Sequence, residues 1–259
     1  MRRLLIEEPV TRAGGWSRDL AVFSIAATGI ALLVVRSPGA EEGPALAALG
    51  GGLIVAVAAV ALALVAFVRV WRDGARGLRA ALVGLVLAAC VLAYPAYAAL
   101  QGLRLPAIAD VTTDIDGPPA FSRSRAAFAA RDGRYPADPG PAAREAQRAA
   151  YPQIAPLTLD VEPDEAFGLA RKAAVNRKWQ IVEAIRPGGR VGNGRIEAVT
   201  RSRLLNLPAD VTVRIRPRAD GVRIDVRSAS RFGARDLGSN AERIRAYLDE
   251  VANLAIALK

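Results

Sequence analysis

The 259-residue chain contains no histidine, and its one cysteine is Cys90. Without imidazole there is no Ser-His-Asp or Cys-His machinery and no ordinary zinc centre. One thiol allows neither an intramolecular disulfide nor a thiolate metal cluster. Lysine is scarce as well: only Lys172, Lys178 and Lys259 stand among 35 basic residues. Aromatic residues make up 5% of the chain, and no basic cluster interleaves with them. The net charge of +10 is therefore no signature of nucleic-acid binding. No nucleic-acid partner and no cofactor are expected.

What the first part of the chain lacks is charge. Residues 1–103 hold nine arginines and six acidic residues, nearly all outside three apolar runs. These runs, at about 20–36, 45–68 and 80–103, are read as transmembrane helices. A span takes about 20 apolar residues to cross a hydrocarbon core of about 30 Å. The second and third meet that length; the first is short and needs Asp19 and Arg36 to reach for the two interfaces. A cleavable signal peptide fits it poorly, with Glu7 and Glu8 ahead of the run and no Ala-x-Ala site after Arg36. Gly50, Gly51 and Gly52 suit close helix packing.

Arginine placement gives an orientation. Arg2, Arg3, Arg12 and Arg18 precede the first span, and Arg69, Arg72, Arg76 and Arg79 lie between the second and third. The loop between the first two holds Arg36 against Glu41 and Glu42. The positive-inside rule then puts the N-terminus in the cytoplasm and everything after residue 103 outside. In a bacterium that is an inner-membrane protein with a periplasmic C-terminal domain. Between their ends the spans carry no Asp, Glu, Lys or Arg, which argues against a transporter.

Residues 104–156 read as an extended, proline-rich segment wrapping the domain that follows, with a short helix near Ala142–Ala149. From 157 to 259 the periodicity becomes regular. Strands are expected at 157–161, 179–185, 194–202, 210–217 and 221–230. A helix begins at Pro163 with Asp164 and Glu165 in its first turn. The last helix starts at Ser239, with Glu242 completing a capping box. Strand, helix, four strands, helix is an α+β order: an antiparallel sheet with helices on one face, helix-grip-like, preceded by an all-α membrane region.

Five stretches carry a family likeness: "PAIADVTTDIDGPPAF" (106–121), "YPQIAPL" (151–157), "RIEAVTRS" (195–202), "ADVTVRI" (209–215) and "RIDVRSASRFGARDLGSNAERIRAYL" (223–248). Together they resemble the family called domain of unknown function 1499, over essentially all of residues 104–259. Members that resemble this chain often carry N-terminal membrane helices. The resemblance implies no catalytic residues, because the family has no established activity.

Two clusters are candidates for chemistry. Arg227 and Arg231, with Ser228, Ser230 and Asn240, lie at the end of the last strand beside a helix start, where a phosphate or carboxylate would be held. The structural alternative pairs Asp236 with Arg231 or Arg227 and uses Ser239 and Asn240 to satisfy backbone amides. Asp110, Asp114 and Asp116 put three carboxylates within seven residues, a weak calcium or magnesium pattern without the glycine and terminal glutamate of an EF-hand. Three function classes follow. The first is a binding or scaffolding domain with a protein partner in a membrane complex, accessory to envelope function. The second is a periplasmic enzyme acting on a phosphate-bearing lipid or glycan. The third is a binder of lipid or another small ligand. The first is preferred, and the chain is read as more a binder than an enzyme.

Overall fold

The computed structural model describes residues 9–37, 40–188 and 192–258. Arg2, Arg3, Glu7, Glu8 and Lys259 lie outside the described residues. The chain divides into two compact units, Met1–Leu100 and Gln101–Lys259.

The first unit is built from helices α1 (Arg12–Arg36), α2 (Glu42–Asp73) and α3 (Leu78–Arg104), the last of which ends in the second unit. All three are long and apolar enough to cross a membrane. The first apolar run lies within a longer helix: α1 begins at Arg12 and has 25 residues, or about 38 Å at 1.5 Å per residue. The residues that extend it include the exposed pair Arg18–Asp19, 2.8 Å apart.

Packing inverts the pattern of a water-soluble bundle. Ala21, Ala56, Ala59 and Ala88 form the buried core, while Phe23, Ile30, Leu33, Ile54, Val57, Leu64 and Val86 point outward. Lipid tails are as apolar as leucine, so small residues that let backbones approach hold such helices together. Ser17 adds a buried hydrogen bond to the carbonyl of Ala59, 2.8 Å. Of the three adjacent glycines only Gly52 sits against another helix, at Thr28; Gly50 and Gly51 face open space. The close approach of α1 and α3 depends instead on Gly84, where an added Cβ would lie 2.7 Å from the backbone of Ser17 and Arg18. Gly84→Leu is expected to push these helices apart, lowering the midpoint of heat-induced aggregation in detergent, while Gly50→Leu leaves it unchanged. Equal midpoints for the two variants would remove this account of the bundle.

The second unit is α+β. Its elements are β1 (Asp110–Thr112), α4 (Arg125–Ala130), α5 (Pro141–Ala150), β2 (Leu157–Leu159), α6 (Pro163–Asn176), β3 (Gln180–Ile185), β4 (Gly194–Arg201), β5 (Pro208–Arg218), β6 (Gly221–Ser230) and α7 (Ser239–Ile256). The six strands form one antiparallel sheet ordered β1-β6-β5-β4-β3, with β2 also on β6. β1 pairs with residues 227–229 of β6 and β2 with 222–224, so the two short strands lie end to end along one edge.

Alternation assigns the faces. Val222, Ile224 and Val226 of β6, Val211, Val213 and Ile215 of β5, and Ile196 and Ala198 of β4 join the core with α6 and α7. Trp179 and Tyr247 stack there at 4.6 Å, and the Tyr247 hydroxyl donates to the carbonyl of Ala170 at 2.9 Å. Ile224, Val226, Ile244, Tyr247 and Val251 fill the space between sheet and α7, all fully buried.

The start of α7 differs from the expected capping box. Asp236, not Ser239, serves the free amides: its carboxylate accepts from Gly238 N at 3.0 Å and Asn240 N at 2.8 Å. Asp236 therefore binds neither Arg227 nor Arg231. At the β1 edge, Gln147 of α5 acts as a surrogate strand, accepting from Thr112 N at 3.1 Å and donating to Thr112 O at 2.6 Å.

Candidate functional site

The sheet face opposite α6 and α7 is charged. Arg223, Asp225 and Arg227 occupy alternate positions of β6, Asp210, Arg214 and Arg216 of β5, and Arg195 and Glu197 of β4. A segment of the extended region, residues 114–138, lies against this face through the contacts that follow. The face sorts into three groups along the strands.

In the first, Asp225 is fully buried and receives Arg216 at 2.8 Å, Arg223 at 2.8 Å and Arg214 at 3.1 Å. Asp114 bridges the same three guanidinium groups from the extended segment, at 2.9, 3.0 and 3.2 Å. Burial works against its charge, but the Gly117 amide and the three arginines hold the Asp114 carboxyl below its ordinary range.

In the second, Arg227 grips Asp110 through Nε at 3.0 Å and Nη2 at 2.7 Å, and donates to the carbonyl of Ala137 at 3.2 Å. Burial nonetheless raises the Asp110 carboxyl above the usual carboxylate range. In the third, Arg131 of the α4 C-cap pairs with Glu197 and donates to Ser122 O at 2.8 Å. Arg231 pairs with Asp210 at 2.8 Å and Asp132 at 2.9 Å, and donates to Ala130 O at 2.7 Å. The guanidinium groups of Arg131 and Arg227 both lie over the Phe121 ring, at 5.0 and 4.9 Å.

The family described as Protein of unknown function (DUF1499) matches residues 110–251. The chain belongs to this family. The DUF1499 region begins at Asp110, the residue that grips Arg227, and closes at Val251 in the core of α7. It takes in every arginine and carboxylate of the charged face. Nothing among curated proteins or solved structures matches the chain.

Within the DUF1499 domain the five residues of the expected anion site fall on two faces. Arg227 and Arg231 belong to the charged face, paired as above. Ser228, Ser230 and Asn240 lie on the α7 side: Asn240 accepts from the Ser228 hydroxyl at 2.8 Å and donates to Ser230 Oγ at 3.0 Å and Ala109 O at 2.9 Å. The aspartates of the expected metal site are also divided. Asp110 and Asp114 face different arginines, and Asp116 is exposed beside Arg148 at 2.9 Å. Among the described residues no group of three His, Cys, Asp or Glu side chains is placed to hold a metal ion.

Arg131, Glu197 and Asp210 escape a reading of single motifs. Each is an ordinary charge in its own strand or helix. The register, with Glu197 opposite Thr212 and Thr212 opposite Arg227, puts Glu197 and Asp210 beside the arginines of β6, and Arg131 reaches Glu197 from the end of α4. Glu197 is the carboxyl with the most altered acidity: burial raises it from 4.5 to about 7, against Arg131 and the Ser122 amide, which favour its charged form. Such a value suits proton transfer at neutral pH. Yet Glu197 is only 1% exposed, beneath Ser122 and Arg131. The chemistry this face supports is electrostatic fastening: seven arginines (131, 195, 214, 216, 223, 227, 231) each have a carboxylate oxygen at 3.1 Å or nearer.

Proposed function

We propose that this DUF1499 protein is a multi-pass protein of the bacterial inner membrane that presents its α+β domain in the periplasm as a binding or scaffolding module. It serves there as an accessory of a larger envelope complex. The observation that carries the binding reading is the internal pairing of the charged face: its arginines hold carboxylates of their own domain, and among the described residues Glu197, the carboxyl that burial raises to about 7, is covered by Ser122 and Arg131. The sheet–α7 interface is filled with side chains, which favours a surface module over a helix-grip cavity binder. The orientation is supported by the arginines of the tail and of the loop between α2 and α3, against Glu41 and Glu42 of the first loop.

Tagged full-length protein, extracted in mild detergent and analysed for proteins and retained lipids, tests the role. A stoichiometric protein partner is expected. Recovery of the protein alone with one defined lipid or phosphorylated ligand would overturn the scaffold reading. Alkaline phosphatase fused after Leu258 is expected to be active, and fused after Asp73 inactive. The reverse pattern would invert the topology.

A further inference from the structure

The strand register fixes two ends of the sheet. Asp110 of β1, Ala229 of β6, Asp210 of β5 and Val199 of β4 share one row. The connection between β4 and β5 (202–207), the connection between β6 and α7 (231–238), and the entry of the chain from α3 therefore lie at the same end. The opposite end carries the β5–β6 turn and the loop into α6.

The entry end joins exposed leucine to exposed arginine. Leu103, in the last turn of α3, is 85% exposed, Leu237 39% and Leu204 38%. Arg104, Arg201, Arg203 and Arg235 are exposed around them. The loops that present these leucines are built, not slack. Leu237 holds a left-handed backbone, φ 52°, a conformation costly for a side chain of this kind. The β4–β5 loop is closed by Ser202 Oγ accepting from Leu207 N at 3.0 Å and by Arg201 donating to Asn206 O at 3.0 Å. Arg235 donates to the carbonyls of Gly102 and Leu105, which ties the β6–α7 loop to the end of α3. The opposite end is acidic on balance: Asp160, Glu162, Glu165 and Asp220 surround one hollow, and exposed Arg186 and Arg218 stand at the same end.

We propose that this entry end rests on an anionic lipid surface, with Leu204 and Leu237 dipping below the headgroups and the exposed charges of Arg201 and Arg235 set beside lipid phosphates. The chain itself supplies the occupant: α3, a helix long and apolar enough to span, ends at Arg104, one residue before this end begins. Exposed apolar side chains ringed by arginine suit a negatively charged interface, whereas the acidic end is repelled by it. The inference rests on the membrane-spanning reading but not on which side of the membrane the domain occupies.

The test uses full-length protein in lipid nanodiscs of phosphatidylcholine and phosphatidylglycerol, three to one, with a polarity-sensitive fluorophore on single cysteines. Wild-type Cys90, exposed on α3, reports embedding. In a Cys90→Ser background, Leu204→Cys, Leu237→Cys and Ala219→Cys report the two ends. Quenching by nitroxide-bearing lipids is expected to be at least twofold greater at 204 and 237 than at 219, and to fall when phosphatidylglycerol is left out. Quenching at Cys90 with 204 and 237 no more quenched than 219 would overturn the inference and leave the membrane helices standing. No quenching at Cys90 would overturn both. Shielding of 204 and 237 that rises with protein concentration and ignores the quencher would assign the surface to a second copy instead, and would overturn contact with lipid.

Discussion

Asp225→Ala is expected to cost about 3–5 kcal/mol, the range for removing one partner from a buried ion cluster. Asp225 is fully buried and takes Arg214, Arg216 and Arg223 within 3.1 Å. Without it three guanidinium groups share Asp114 alone, in a layer whose arginines are only about a quarter exposed. The mechanism is the stranded charge, so pairing the change with Arg223→Met should return part of the loss. Thermal unfolding followed by circular dichroism would fall by roughly 10 °C or more for the single variant. Asp116→Ala is the contrast: its pair with Arg148 lies in solvent, and no shift is expected. Equal midpoints for the Asp225 and Asp116 variants would show that the buried layer contributes nothing to the fold.

The second large effect is a dependence on pH. Burial raises the Glu197 carboxyl from 4.5 to about 7, so the folded chain holds this proton more tightly than the unfolded one. Its contribution to stability is complete below about 4.5 and is lost as pH rises through about 7. Integrated over that window it amounts to roughly 3 kcal/mol. The charged groups around it are Arg131, Arg195 at 4.0 Å, and Asp210 across Arg131 at 3.8 Å. Asp110 and Asp236 are raised in the same sense, while Asp114 and Glu183 are lowered and lose their contribution in acid. The difference between wild type and Glu197→Gln isolates one residue from these. Glutamine keeps an acceptor for the Ser122 amide and cannot ionise. Urea unfolding at pH 5, 6, 7 and 8 should show the wild type losing ground to the variant by about 1 kcal/mol per pH unit near neutrality. A pH-independent difference would mean that Glu197 folds with its charge in place.

The fold was open to sequence reasoning wherever one face of an element is apolar. Val211, Val213 and Ile215, then Val222, Ile224 and Val226, alternate plainly, and both strands lie where that alternation puts them. The helices from Pro163 and Ser239 follow their alanine, leucine and isoleucine stripes for the same reason. β1 and α4 were not legible: β1 is three residues long, and its pairing with Arg227–Ala229 depends on chain more than a hundred residues away. The aspartates and arginines stood out in the sequence, but their division into pairs did not. Asp110 and Asp114 are four residues apart and bind different arginines, because the extended segment crosses β6 along its length. The capping box failed on a local detail: Gly238, in a left-handed turn, lets Asp236 reach the amides first.

The closing of one sheet edge by β1 and β2 sets an order of events for the newborn chain. Arg227 lies 117 residues from Asp110, and Val226 accepts from the Thr113 amide across a similar distance. Such separations delay closure until most of the chain is available. Synthesis releases residues 105–138 before any strand that they must cover. Ser122 and Arg131 find Glu197 once β4 is made, but Asp110 and Thr113 wait until β6, the last strand made, offers Arg227 and the Val226 carbonyl. The stretch that directly follows α3 is thus among the last to settle, and until it does Arg227 lacks the carboxylate it grips, while Arg223 and Arg231 already have Asp225 and Asp210.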